Sequence, residues 1–199
     1  MAIIDDIDRA RIESIVSSGA GFGFLFSFGL TWCGASVASY FLPTTIAAWV
    51  YIFQAVVAVP LALALQKLLR YPKAAPDNPL WPLAIQLLLI QALAFPAYVL
   101  VLFMAPNYVP TVFAALVGAH FLPYQWLYKT RIYGVLGFLV AVGPYVIAIA
   151  AGTASIHYVG FFVGLVLLVG SFAAKRHAEQ YLNHLATPDA AAASERLST

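Results

Sequence analysis

The chain has 199 residues, of which 63% are hydrophobic and 9% charged, with a formal net charge of +2. A soluble domain averages roughly 45–50% apolar and about 25% charged residues, so lipid must be the solvent for most of this chain. The small net charge, with no basic stripe or binding motif, excludes nucleic-acid recognition, and a lone cysteine, Cys33, excludes an internal disulfide.

Residues 1–18 carry Asp5, Asp6, Asp8, Arg9, Arg11 and Glu13, too many charges for a cleavable signal. Ile3, Ile4, Ile7 and Ile15 fall within about one helical face, which predicts an amphipathic helix at the membrane interface. Six apolar stretches follow, at about 19–41, 44–69, 80–104, 107–128, 131–151 and 155–174. Each reaches the roughly 20 residues that a helix needs to cross about 30 Å of hydrocarbon. They are too long for barrel strands and do not alternate polar with apolar, and only helices satisfy their own backbone in lipid. The expected fold is therefore all-α: residues 1–18 as an interfacial helix, 19–174 as an integral membrane bundle of six transmembrane helices, and 175–199 as a cytoplasmic tail, partly disordered. No internal repeat supports an inverted-repeat transporter.

All ten Lys and Arg and all eight Asp and Glu fall in segments that lie on one side of this bundle. The joints at 41–45, 105–107 and 152–155 are short and uncharged, whereas Lys67, Arg70, Lys73 and Asp77 mark one loop and Lys129 and Arg131 another. An excess of Lys and Arg in short loops marks the cytoplasm. The expectation is a multi-pass protein of the bacterial inner (plasma) membrane with both termini cytoplasmic.

Inside the hydrocarbon the polar set is sparse and neutral, which removes the carboxylate relay of proton-driven pumps. It comprises Thr31, Cys33, Gln54, Gln86, Gln91, His120, Gln125 and Tyr145. At about 1.5 Å per residue, Thr31, Gln54, Gln91 and Tyr145 fall near the midplane, with His120 somewhat to the cytoplasmic side. Pro60, Pro96, Pro123 and Pro144 each free the carbonyl four residues back and kink the helix. The carbonyls of Val56, Ala92 and Ala119 then lie beside Gln54, Gln91 and His120, which suggests a polar cavity between kinked helices; helix packing explains the same residues without a cavity.

His120 is the one intramembrane side chain that titrates near neutrality. It serves as a ligand contact, a proton shuttle or a structural histidine bonded to a carbonyl, Tyr124 or a Gln. No second His, Cys or carboxylate has helical spacing to it, so neither a metal nor another cofactor is expected, and His157 lies at the opposite surface. The Tyr124–Tyr133 stretch, with Trp126, Tyr128, Lys129 and Arg131, reads as an interfacial anchor, and Trp49, Tyr51, Tyr108 and Tyr158 as the opposite belt. Gly160 and Gly164 form a GxxxG, a face either for self-association or for packing inside the bundle.

Gly19-Ala20-Gly21-Phe22-Gly23 leading into Gly29-Leu30-Thr31-Trp32, together with Gly118-Ala119-His120-Phe121-Leu122-Pro123-Tyr124, resembles an uncharacterised family of small bacterial membrane proteins, known as a domain of unknown function. The resemblance implies a polytopic helical protein over most of the chain and carries no activity, cofactor or ligand. Three functional classes follow from the residues. The first is a small transporter, channel or binding protein for a neutral or weakly polar ligand held by His120, Gln91, Gln54, Tyr124, Thr31 and Tyr145. The second is an accessory or assembly subunit that packs against another membrane protein. The third, a membrane-embedded enzyme using His120, lacks a second titratable or nucleophilic group at helical spacing.

Overall fold

Backbone amides and carbonyls in lipid have only each other as partners. The computed structural model describes residues 2–73 and 75–185, and among these no residue is in a strand. Helix α1 (Ala2–Ser18) precedes α2 (Phe22–Ser39). Two broken helices follow, α3 (Thr44–Phe53) with α4 (Ala55–Leu68) and α5 (Trp81–Leu93) with α6 (Phe95–Met104). A 3₁₀ turn at Pro106–Tyr108 leads into α7 (Val109–Leu127), then α8 (Ile132–Ala151), a second turn at Gly152–Ala154 and α9 (Ser155–Leu185). Helix thus continues well past Arg176, and residues 186–199, where the tail was expected to fray, lie outside the described residues.

Four helical stretches are long and apolar enough to cross a membrane: Phe22–Ser39, Thr44–Leu68, Trp81–Met104 and Ile132–Asn183. The last of these is α8 and α9 folded back on each other. Gly143 meets Phe162 while Gly170 meets Leu136, so the two helices run antiparallel. α7, with His120, Pro123, Tyr124 and Gln125, falls outside that set, so length and apolarity alone do not establish the count of six crossings.

Helices in lipid associate by close van der Waals packing, which small residues permit. A methyl built on Gly164 would lie 2.8 Å from the Gly29 carbonyl oxygen, and one on Gly160 would lie 2.9 Å from that of Trp32. The GxxxG pair is therefore packed inside the chain against α2, and the close approach it permits is to that helix. α7 and α8 meet in the same way, with Gly118 against the backbone of Gly137 and Ala141. α2 also packs along α4, where Gly23 faces the Ala62 carbonyl.

Prolines kink the chain less uniformly than their number suggests. Pro123 and Pro144 sit within α7 and α8 without ending them. The second span breaks at Gln54, where the amides of Val57 and Ala58 both donate to the Gln54 carbonyl; this tightened turn comes just before Pro60. The third breaks at Ala94, whose carbonyl accepts from both Ala97 and Tyr98. Pro96 there occupies the first turn of α6, where its missing N–H costs nothing.

Two expectations for aromatic anchors are corrected. Tyr51 is buried and donates to the Ile156 carbonyl at 2.8 Å, so it ties α3 to α9 rather than facing headgroups. Tyr128 and Tyr133 are buried as well, with Tyr124 stacked on Tyr128, because α1 and the extended α9 cover the charged end of the bundle. α1 turns Ala10, Ile15 and Val16 into this protein core. The link to α2 is three consecutive left-handed residues, Gly19, Ala20 and Gly21 (φ 58°, 48° and 79°), with the rings of Tyr71 and Tyr133 closing over the two glycines. Such φ values favour glycine, and the Tyr133 hydroxyl holds the strained Ala20 by donating to its carbonyl at 2.7 Å.

These contacts predict that Gly118→Val destabilises the protein by about 1–3 kcal/mol or more, because the obstructing atoms are backbone and cannot move aside. Thermal unfolding of the purified protein in detergent measures it. Gly34→Val, where a Cβ meets nothing within 4 Å, is the tolerated control.

Candidate functional site

The centre of the bundle is an aromatic chain. Trp32 on α2 packs against Tyr51 on α3 with ring centroids 5.4 Å apart and against Phe113 on α7 at 5.3 Å, and Phe113 meets Tyr98 on α6 at 4.7 Å. Three of the expected site residues lie at the edges of this layer. Gln91 on α5 accepts a hydrogen bond from the Tyr98 hydroxyl at 2.8 Å and donates to the Leu116 carbonyl of α7 at 3.0 Å. Gln54 follows Tyr51 by about one helical turn, and His120 follows Phe113 by about two on the same face of α7.

These three differ in how their polar atoms are met. Gln91 has both its amide oxygen and its amide nitrogen bonded, across three helices. His120 places Nδ1 2.7 Å from the Val117 carbonyl; a carbonyl only accepts, so Nδ1 carries the proton and Nε2 the lone pair of the neutral ring. Gln54 is 5% exposed and neither atom of its amide has a partner; the indole N–H of Trp32, fully buried, is also unpaired. The acceptors in use are Leu116 and Val117, not the carbonyls of Ala92 and Ala119 that Pro96 and Pro123 were expected to present.

The other three expected residues do not join this group equally. Tyr124 touches it, its ring edge-on to His120 at 5.6 Å. Thr31 bonds back to the Phe28 carbonyl of its own helix at 3.1 Å. Tyr145 is 53% exposed on α8, where it lines a groove of about 460 Å³ with Tyr108, Thr111 and Ile149 near the uncharged end of the bundle. Cys33 is half-buried beside Gly164, and Gln86 and Gln125 are exposed. Among the described residues no group of three His, Cys, Asp or Glu side chains could hold a metal ion.

A second polar cluster lies at the charged end of the bundle and was not foreseen as a unit. Asp8 on α1 pairs with Arg11 at 3.0 Å and with Lys129, between α7 and α8, at 3.1 Å. Arg11 also donates to the Trp126 carbonyl and stacks over the Trp126 ring at 4.6 Å. Glu13 accepts from the Ala75 amide and, at 3.0 Å, from the side-chain amide of Asn78. Asn78 is buried, donates to the Ala10 carbonyl at 3.0 Å, and accepts from the Leu80 amide at 2.9 Å at the start of α5. The sequence signal for this residue is Asn78-Pro79, a pair that favours turn initiation. Beside the cluster, Arg9, Ile12, Glu13, Val16, Ser17, Pro72 and Lys73 line a shallow cavity of about 280 Å³.

A family model described as a family of unknown function, DUF7010, matches residues 7–176. The chain belongs to that family. The match runs from α1 to Arg176 in the second half of α9, so it takes in the aromatic layer and most of the clustered charges. Neither a curated protein nor a solved structure matches the chain.

The ionised partners of Asp8, first the hydrogen bond from Lys129 and then the two cationic charges, hold its carboxyl below the ordinary Asp value. A depressed folded pKa contributes stability that is present above the unfolded value and lost as pH falls through the folded one. The stability difference between wild type and Asp8→Asn should therefore be constant at neutral pH, shrink as pH falls below the ordinary Asp range, and vanish once pH is below the depressed folded value. Melting curves of both proteins across that range measure it, and a difference that persists at the acid end would remove the ion pairs from the account.

Proposed function

We propose that this protein crosses the plasma (inner) membrane six times, with both termini and the charged loops in the cytoplasm. In this reading it binds a neutral, hydrogen-bonding small molecule between its second, third and fourth spans, as a small carrier, channel or binding protein. The topology rests on the segregation of Lys and Arg and on α7 lying packed beside α8 at the length of a span. Labelling of cysteines introduced at Thr153 from outside and at Lys73 from inside tests it, and external labelling at position 73 reverses the orientation.

The ligand reading is carried by Gln54. A buried amide without partners costs about 1–3 kcal/mol on mutational scales, and a ligand that meets it removes that cost. Trp32 Nε1 adds a second unmet donor, and His120 Nε2 offers an acceptor further toward the cytoplasm. Gln54→Leu keeps the shape and removes the unmet amide. It should raise the melting temperature of the purified protein and abolish the functional readout in a deletion-strain assay. His120→Ala and Gln91→Ala should impair the same readout while leaving a folded, inserted protein. If Gln54→Leu lowers stability, or if all three variants complement like wild type, the ligand reading fails. The accessory-subunit alternative draws on the exposed apolar face of α5 and α6, where Leu93, Phe103 and Met104 find little cover within the chain. Under that alternative the three variants complement fully, and changes on this outer face do not.

A further inference from the structure

α5 is weakly anchored. Among its described side chains only Leu87 is buried, and the helix packs on α7 and α6 while α4 packs on α2. Two polar ties hold it instead. The first is the bond from Gln91 to Leu116 at mid-membrane. The second is the junction of Asn78 and Ala75 with Glu13 and Ala10 of α1 at the cytoplasmic end. Its far end is the break at Ala94, where one carbonyl serves two amides.

α1, by contrast, is fixed to the rest of the bundle. Ile15 and Val16 are buried, Asp8 and Arg11 bind the end of α7 and the residue Lys129, and Ser18 reaches the Tyr128 hydroxyl at 3.3 Å. The junction with Asn78 therefore joins a firm bracket to a loosely packed helix. It is built from hydrogen bonds whose partners Glu13 and Ala75 are only half-buried, so that opening would exchange them for bonds to water. Asn78 is buried with its amide donating twice to α1, so its geometry belongs to the clipped state alone.

We propose that α5 is a cytoplasmic gate, clipped shut by Asn78 on Glu13 and Ala10 of α1, and that its release swings α5 about Ala94 and opens the region of Gln91 and His120 to the cytoplasm. This deepens the ligand reading above and rests on it for the gate's purpose, though not for its motion. Opening breaks the bond from Gln91 to Leu116, so the gate exposes one of the proposed ligand contacts as it moves. The buried aromatic chain from Tyr51 to Phe113 stays in place on α2, α3 and α7 and closes the route to the other side.

Asn78→Asp tests the clip selectively. The carboxylate still accepts from the Leu80 amide at the start of α5, but it loses both donations to α1 and faces the Glu13 carboxylate. The double variant Asn78→Asp with Glu13→Gln restores a donor–acceptor pair with the roles exchanged. Hydrogen–deuterium exchange of the full chain in lipid nanodiscs reads the outcome. Exchange across 81–93 should rise on the order of tenfold in Asn78→Asp, while 22–39 and 132–151 keep wild-type rates, and the double variant should return 81–93 toward wild type. Unchanged exchange in 81–93, an equal rise in every helix, or no rescue by the double variant overturns the gate. Gln54→Leu should leave exchange across 81–93 at the wild-type rate while removing function, so failure of the ligand site and failure of the gate give different results.

Discussion

The close approach of α2 to α9 sets the position of nearly everything that bears on function. Lipid gives helices no hydrophobic reason to associate, so their packing depends on how near two backbones can come. Gly29, Gly160 and Gly164 bring α2 and α9 to within reach of each other's carbonyls, and Trp32 lies in that seam with its carbonyl beside Gly160. Its ring is thereby fixed at the centre of the bundle, where it receives Tyr51 and Phe113, and Phe113 in turn receives Tyr98. Tyr98 orients Gln91 through its hydroxyl. A glycine contact between two helices thus determines where an amide on a third pair of half-helices can stand.

The same chain of dependence divides the protein into a firm and a loose part. α2, α7, α8 and α9 meet through small residues, and α1 is bolted to their charged end by ion pairs and buried isoleucine. α6 sends buried Tyr98 and Leu102 into the core, whereas α5 has no comparable seam and is held mainly by directional bonds at a few points. Hydrogen bonds break one at a time at modest cost, about 0.5–1.5 kcal/mol each where water or another group can take over. Interdigitated backbones do not separate in steps. The polar residues with unmet capacity, Gln54 on one side and His120 on the other, lie where the firm part meets the loose one.

The helical class, the apolar stretches and the membership of an uncharacterised family were legible in the sequence because each depends on composition, length or local motif. Gln54, Gln91 and His120 were singled out from their chemistry in an apolar context, and that rule requires no tertiary knowledge. What it could not supply was partner choice. Gln91 reaches across to Leu116 rather than to its own freed carbonyl, Thr31 turns back to Phe28, and Tyr145 faces outward. These are questions of helix rotation, and a strongly apolar helix has too little amphipathic contrast to reveal its rotation. Tyr51, Tyr128 and Tyr133 were misplaced for a related reason. Depth along a helix assigns a tyrosine to the interface, but a covering element such as α1 or the extension of α9 converts that depth into protein interior. Asn78 carried a turn signal in Asn78-Pro79, yet its partners on α1 are more than sixty residues away.

On the ligand reading proposed above, charge distribution and local geometry together narrow what could bind. A cation beside Gln54, Gln91 or His120 would meet no carboxylate on helices α3 to α7, and an anion would meet no Lys or Arg on them except Lys67 in the last turn of α4. Neutral ligands remain, and the donor–acceptor pattern restricts them further. His120 protonated on Nδ1 offers a lone pair at Nε2, Trp32 offers only a donor, and Gln54 offers both. On that reading, a molecule that met all three would donate at one end and accept at the other, as an amide or a hydroxylated carbonyl compound does. Small hydrocarbons lack the polar ends, and phosphates and carboxylates carry a charge that nothing in this layer of the bundle can neutralise.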